Sequence, residues 1–299
     1  MNRPLFYYIN AFLLRCYCCL RFTYRYIRDR HKYGKCQFVF RNHIDETVRV
    51  FVTGPSFNEE IAELIKRKED LHNSIVVNFF VDTELFNIIK PRYYCLADPT
   101  FFTKSYLETF KSRILDNLNG VDWDLYFIVP NYGAGFVKQH ITNSKIHILS
   151  VPALLFEGFE ANRNKYYKKG YAAPSFVNVS ILAIYSLLNL GYSRIELYGV
   201  DHNYFLEGLS VGDNNELYLL RKHFYGENKI VLERYNSDGK KWKISDLLKE
   251  NYLSFKEHEV LRAYADFLGS EIINCTRNSL IDAYTRRAQI EKKNFENNE

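Results

Sequence analysis

The segment from Ser175 to Asp201, SFVNVSILAIYSLLNLGYSRIELYGVD, constrains the fold more than any other part of the chain. It reads as a loop, a buried helix, a turn, a buried strand and an acid at the strand's carboxyl end. Val179 to Leu190 is apolar at helical spacing, Gly191 supplies a left-handed cap, and Ile195 to Val200 is a short apolar run bounded by charges. This is half of a nucleotide-binding α/β unit. Ligands of open α/β sheets sit beyond the carboxyl ends of the strands, which singles out Gly199, Asp201, His202 and Asn203.

A second unit lies upstream. The β-branched run Val48 to Thr53 leads into Gly54, Pro55 and Ser56, and a helix-like segment, Asn58 to Lys68, follows. Small residues at a strand-to-helix turn let backbone N–H groups approach a phosphate or a sugar. The turn is not GxGxxG and lacks a P-loop lysine, which argues against a plain dinucleotide site. Further strands are expected at Ser74 to Phe80, with the polar Asn78 inside it, and at Arg92 to Phe102, stopping at Asp98 and Pro99. Asp124 to Val129, Lys145 to Leu149 and Glu271 to Asn274 complete the set. Strands alternating with helices predict a Rossmann-like, mostly parallel α/β sheet with helices on both faces.

In serial order, TGPSF, an Asn-bearing strand end, ADPTFF, LNLGYSRIELYGVD and INCTRNSL resemble the bacterial family 42 sialyltransferases and their wider relatives, over roughly residues 46–285. The resemblance implies a GT-A-like variant of the fold. It also implies a CMP-activated nonulosonic acid as donor, no metal, no further cofactor and inversion at the anomeric carbon. Residue by residue, Thr53 stands where the family has an Asn ahead of Gly54, Pro55 and Ser56; Asn78 matches a nucleotide-binding Asn; and Asp98 replaces another Asn. The donor loop offers Ser175, Asn178 and Ser180 but lacks the family's arginine. The first of two tyrosines that assist the departing phosphate falls on Asn203, with Tyr204 and Tyr218 nearby. Thr276, Asn278 and Ser279 form the turn that touches the nucleotide in the family; on their own they also read as a cap for a helix over Leu280 to Arg286.

KHFYGEN, Lys222 to Asn228, is similar to the stretch that ends in the family's catalytic histidine. An ungapped match puts Glu227 at that position and His223 four residues earlier. Either could take the acceptor hydroxyl's proton, and His223 needs no pKa shift to do so. Asp201 could bind a ribose, an acceptor or a loop N–H, and His202 could reach the acceptor or the leaving group.

With 299 residues and 47% hydrophobic content, the chain can build one large core, here residues 46–287, with a lid over about 205–255 and a charged tail at 288–299. Between Phe205 and Phe255 no clear sheet pattern is legible. Lid closure would keep water from the anomeric carbon of an activated sugar. Six cysteines in no paired arrangement suit a reducing compartment and exclude a disulfide scaffold or a two-pair zinc site.

Residues 1–45 differ in kind. On a helix, Leu5, Ile9, Phe12, Cys16, Cys19, Thr23 and Ile27 share one face, with Arg3, Arg21, Arg25 and Arg28 on the other. The uncharged run Pro4 to Leu14 is too short for a bilayer core of ~30 Å. Dense basic residues follow it without a small-residue cleavage site, unlike a secretory signal. This predicts a cytoplasmic protein lying peripherally on the anionic inner face of the cytoplasmic membrane; the alternative is a helix packed on the catalytic domain or on a partner subunit. A net charge of +5, much of it in this segment, is not spread as nucleic-acid binding requires.

The expected function is therefore a glycosyltransferase of bacterial surface polysaccharide synthesis (O-antigen, capsule or lipooligosaccharide). It would take a nucleotide-sugar donor and a glycan or lipid-linked acceptor, as a monomer or a homo-oligomer. Two rivals are a Mg-dependent pterin pyrophosphokinase-like enzyme using Asp98 and Asp201, and an interaction protein that has lost catalysis.

Overall fold

The computed structural model describes residues 5–34, 38–103, 113–207, 209–223, 226–231 and 239–288; of residues 5–8, 204, 207, 220–223 and 226–231 it describes the backbone alone. The central feature is an eight-stranded sheet: β1 (Ile44–Phe51), β2 (Ser74–Val77), β3 (Tyr93–Cys95), β4 (Leu125–Pro130), β5 (Ile146–Val151), β6 (Tyr192–Tyr198), β10 (Glu271–Asn274) and β11 (Thr285–Arg286). The strand order is β11-β10-β6-β1-β2-β3-β4-β5, and every neighbouring pair is parallel. From β1 the chain winds outward to β5, then crosses back to lay β6 against the other side of β1. The order reverses there.

Two apolar layers cover the sheet because successive residues of a strand point to opposite faces. Val48 and Val50 of β1 and Ile195 and Leu197 of β6 join one core, with α7 (Val179–Leu190), Leu261, Tyr264 and Ala265 of α9 (Ile244–Leu268), and Phe22 of α1 (Leu5–Tyr33). Phe51 and Tyr198 turn the other way, to Phe57, Ile61 and Leu64 of α2 (Phe57–Lys66) and Phe86 of α3 (Glu84–Ile89). That layer also holds Ile114 and Leu118 of α4, described over 113–119, and Val137 of α5 (Asn131–His140). All of α7 from Ser180 to Leu190 is buried, which accounts for its all-round apolar sequence. Gly191 ends it at φ +101°.

Three expectations are corrected. The strand from Ser74 ends at Val77, because Asn78 turns left-handed (φ +51°) and opens a 3-10 turn to Asp82. No helix covers Leu280 to Arg286; Ile281 and Tyr284 are buried individually, and Thr285–Arg286 forms β11 instead. The segment after Phe205 does contain sheet. Short α8 (Tyr204–Glu207) leads into an antiparallel unit of β7 (Leu209–Val211), β8 (Leu217–His223) and β9 (Gly226–Val231). In sequence its strands are short or mix apolar residues with charges such as Arg221, Lys222, Glu227 and Lys229, which obscures the alternation, and from Ile244 the chain is already core helix.

The N-terminal helix lies on the domain, against α6 (Arg163–Lys168) and the segment before it. Phe22 meets Phe156 and Tyr166 edge-on, and Tyr26 meets Tyr171. Arg21 and Arg25, read on the basic face opposite Leu5, Ile9 and Phe12, both donate to Glu157 at 2.6 Å. The helix has two apolar stripes, and the sequence does not say which one docks. No helix among the described residues is long and apolar enough to cross a membrane.

Candidate functional site

The strand order reverses between β1 and β6, and in this architecture the cleft outside the carboxyl ends of the strands at such a reversal is where ligands bind. Two glycines let the loops meet there. Gly54 N–H donates to Gly199 O (3.0 Å), and a Cβ on Gly54 would lie 1.9 Å from Asp201 Oδ2. Gly199 holds φ +67°, and a Cβ there would strike Val52 O at 2.2 Å. Only glycine permits the loops to close so tightly.

Asp201, 4% exposed, accepts from Ser56 Oγ (3.0 Å), so the acid after β6 is tied to the turn after β1. Burial raises its pKa against the lowering effect of Ser56. Beneath the turn, Glu60 of α2 accepts from Gly199 N (2.8 Å) and Arg277 N (3.0 Å), joining the loops after β1, β6 and β10. Its pKa is also raised, burial outweighing those two bonds.

The opposite wall comes from α7 and α9. Asn178 caps α7 through Oδ1, which accepts from Ser180 N (2.9 Å). That fixes its Nδ2 3.1 Å from His202 Nε2. The amide nitrogen donates, so Nε2 accepts and the neutral imidazole carries its proton on Nδ1. His202 is left-handed (φ +53°) and buried, and burial pushes its pKa down to about 4. Its ring stands 5.2 Å from that of His258 on α9, 0% exposed, whose Nδ1 pairs with Tyr284 Oη at 2.9 Å. Burial, with His202 nearby, holds His258 well below the ordinary histidine value. At neutral pH both imidazoles are therefore uncharged. A base of pKa about 4 accepts protons poorly, so His202 is better suited to orienting a ligand than to deprotonating it.

Of the expected site residues, the structure gathers Gly54, Ser56, Asn178, Gly199, Asp201 and His202. Thr53 is buried behind the turn, Pro55 is exposed on it, and Asn203 follows His202. Thr276 and Ser279 are adjacent but turn their hydroxyls to the backbone: Thr276 Oγ1 accepts from Val200 N (3.0 Å), and Ser279 Oγ donates to Val200 O (2.6 Å). Ser180 is buried at the first turn of α7 with an Oγ that has no partner among the described residues. Ser175 N donates to Glu257 of α9, whose pKa burial lifts to about 6. Asn78 and Asp98 stand further along the same edge, and the Asp98 carboxylate accepts from Thr100 N and Oγ1 (2.9 and 2.8 Å). The backbones of His223 and Glu227 lie in the hairpin, opposite Gly226 and Lys222. Their side chains, with that of Tyr204, lie outside the described residues. Tyr218 is in β8.

Sequence reasoning missed Glu60, Glu257 and His258. Glu60 was legible as the one acid on the buried face Phe57, Glu60, Ile61, Leu64. His258 follows Asn251 and Ser254 at helical spacing on the buried face of α9. Among the described residues no group of three or more His, Cys, Asp or Glu is placed to hold a metal ion. Asp98 and Asp201 follow β3 and β6, strands that stand ~14 Å apart at the usual spacing with β1 and β2 between them.

No protein-family model matches the chain, and a search of curated proteins finds no match either.

Proposed function

We propose that this chain is a glycosyltransferase that moves a sialic-acid-like sugar from a CMP donor to a glycan hydroxyl in bacterial surface polysaccharide synthesis. It would work peripherally on the inner face of the cytoplasmic membrane. The observation that carries the reading is the grouping of the Gly54 turn, Asp201, His202 and the N-terminus of α7 at the β1–β6 reversal. The partial positive charge of that helix end, with the unpartnered Ser180 Oγ, suits a donor's carboxylate or phosphate.

In the reaction, the acceptor oxygen bonds to the anomeric carbon as the bond from that carbon to the CMP phosphate oxygen breaks. The acceptor proton passes to His223 or Glu227, and CMP departs carrying the electron pair. Donors fixed before the reaction stabilise the departing phosphate without reorganising. Asn203 and Tyr204 follow directly on His202 and are assigned that task; the base is assigned to the β8–β9 hairpin, which holds His223 and Glu227. Asp201 and His202 orient the sugar nucleotide.

A thermal-shift screen with CMP, CDP, UDP, GDP and ATP, with and without Mg²⁺, tests this, because a ligand bound only by the folded state raises the melting temperature. The expected result is stabilisation by CMP without metal, abolished in Gly54→Ala, where a Cβ would collide with Asp201. Stabilisation by ATP only with Mg²⁺ would favour the pyrophosphokinase-like rival; no shift with any nucleotide would favour an interaction protein.

A further inference from the structure

The docked helix α1 leaves an apolar ridge facing outward. Ile9, Leu13, Tyr17, Leu20, Tyr24 and Ile27 are each between 47% and 72% exposed. Their spacing of three and four residues places them on one side of the helix, opposite Phe22 and Tyr26, over about 27 Å at 1.5 Å per residue. A single exposed leucine needs no explanation, but a continuous line of large apolar side chains does. The ridge is not idle core surface, because the helix already has its own docking contacts: Phe22 against Phe156 and Tyr166, Phe12 against Phe159, and Arg21 and Arg25 on Glu157.

Charge selects what covers the ridge. From Leu5 to Tyr33 the helix carries six Arg and Lys residues and one acid, Asp29. A second copy laid along the ridge would bring the same charges alongside, with Arg30 and Lys32 close to their own counterparts or to Arg15 and Arg21. An anionic surface meets the same residues with attraction. Exposed Lys165 and Lys168 of α6, and Lys169 just after it, add positive charge on the docked side of the helix, where Tyr166 packs on Phe22. Tyr17 and Tyr24 add amphipathic rings of the kind that settle at headgroup depth.

We propose that the outward ridge of α1 docks in the plane of an anionic lipid bilayer, with its apolar side chains in the headgroup–acyl boundary and Arg30 and Lys32, which flank the ridge, on the lipid phosphates. This deepens the peripheral location given above, on which it rests, and identifies the surface responsible. It is independent of which nucleotide sugar the cleft takes.

Flotation of the full-length protein with phosphatidylcholine vesicles containing 30% phosphatidylglycerol, and with pure phosphatidylcholine vesicles, tests the proposal. The protein should float with the anionic vesicles and lose at least tenfold in affinity on pure phosphatidylcholine or in 0.5 M NaCl. Leu13→Ser/Leu20→Ser/Ile27→Ser should abolish flotation while keeping the wild-type melting temperature, because all three positions are already in solvent. The single variant Leu20→Glu is expected to weaken binding in the same sense if the triple variant folds poorly. Equal flotation of wild type and variants, or no flotation of the wild type, overturns the proposal. So does a lipid-free dimer that the triple variant dissociates, since that would assign the ridge to a second copy. A CMP-induced thermal shift that persists without vesicle binding would show that docking has failed and the donor reading has not.

Discussion

His202 carries the most information of any residue in the cleft. It is a left-handed, buried, neutral imidazole held by the capping residue of α7 on one side and by His258 on the other. An imidazole that cannot be protonated in the fold has a pH signature. The unfolded chain takes up its proton near pH 6.5, while the folded chain resists until about pH 4, so stability present above pH 6.5 is lost as pH falls toward 4. Glu257 acts oppositely: its pKa of about 6 favours the protonated fold, a contribution present below 4.5 and lost as pH rises through 6. Asp201 and Glu60 are raised in the same direction as Glu257. His202→Asn keeps a residue tolerant of the left-handed backbone and removes the titration. Between pH 7 and 5 it is expected to lose about 2 kcal/mol less stability than wild type, on the scale of 1.36 kcal/mol per pKa unit. Denaturant titrations at the two pH values measure this, and identical losses in both proteins would remove His202 from the account.

At the scale of elements, legibility followed burial. Helix α7 and strand β10 were readable to the residue, because an element buried on all sides must be apolar throughout and must end at a glycine or a charge; β6 was found but starts three residues earlier and ends two earlier than its apolar run, at Tyr192 and Tyr198. The 3-10 turn after Val77 was not readable, since Asn78 continues an apolar run and only its backbone angle breaks the strand. The cleft itself was half legible. Gly54, Ser56, Gly199 and Asp201 announce themselves by type and place, whereas Glu60, Glu257 and His258 enter from helix faces that read as ordinary core. Helix α1 was readable as a helix but not in its orientation. Phe22 lies in the contact with the domain, 4% exposed, so Phe22→Ala should release α1 locally. Hydrogen exchange of α1 amides would then rise ~tenfold or more, with β1 and β6 little changed, as for a peripheral cooperative unit. Equal loss of protection in all three would mean that α1 is part of the global folding unit.

The whole molecule is held at one edge by its last described residues. Arg286 donates to Thr276 O (3.3 Å) and Ser279 O, and Arg287 reaches Glu196 (3.1 Å) and Tyr198 Oη (2.7 Å) beneath the cleft. Glu196 is nearly buried, with Arg49 and Arg194 as its other cations at 3.7 and 3.5 Å. Ending the chain after Tyr284 removes both arginines and β11. This is expected to cost about 3 kcal/mol, a fall of roughly 5 °C or more in melting temperature, relative to the chain ended after Ala288, which keeps both arginines and β11. Differential scanning calorimetry of the two truncations decides the matter; equal melting points would show that the strap is ornamental.

The contact between Ser56 and Asp201 joins positions 145 residues apart in the chain. Everything from β2 to β5 must be threaded between them before β6 can meet β1, and such distant pairing makes folding slow. During synthesis the first half of the sheet would emerge with one long side of β1 bare, an open strand edge of the kind that aggregates. It stays so until the ribosome has released residues beyond Asp201. The place where the molecule is best built to hold a ligand is a seam that closes only after the whole first half of the sheet has been made.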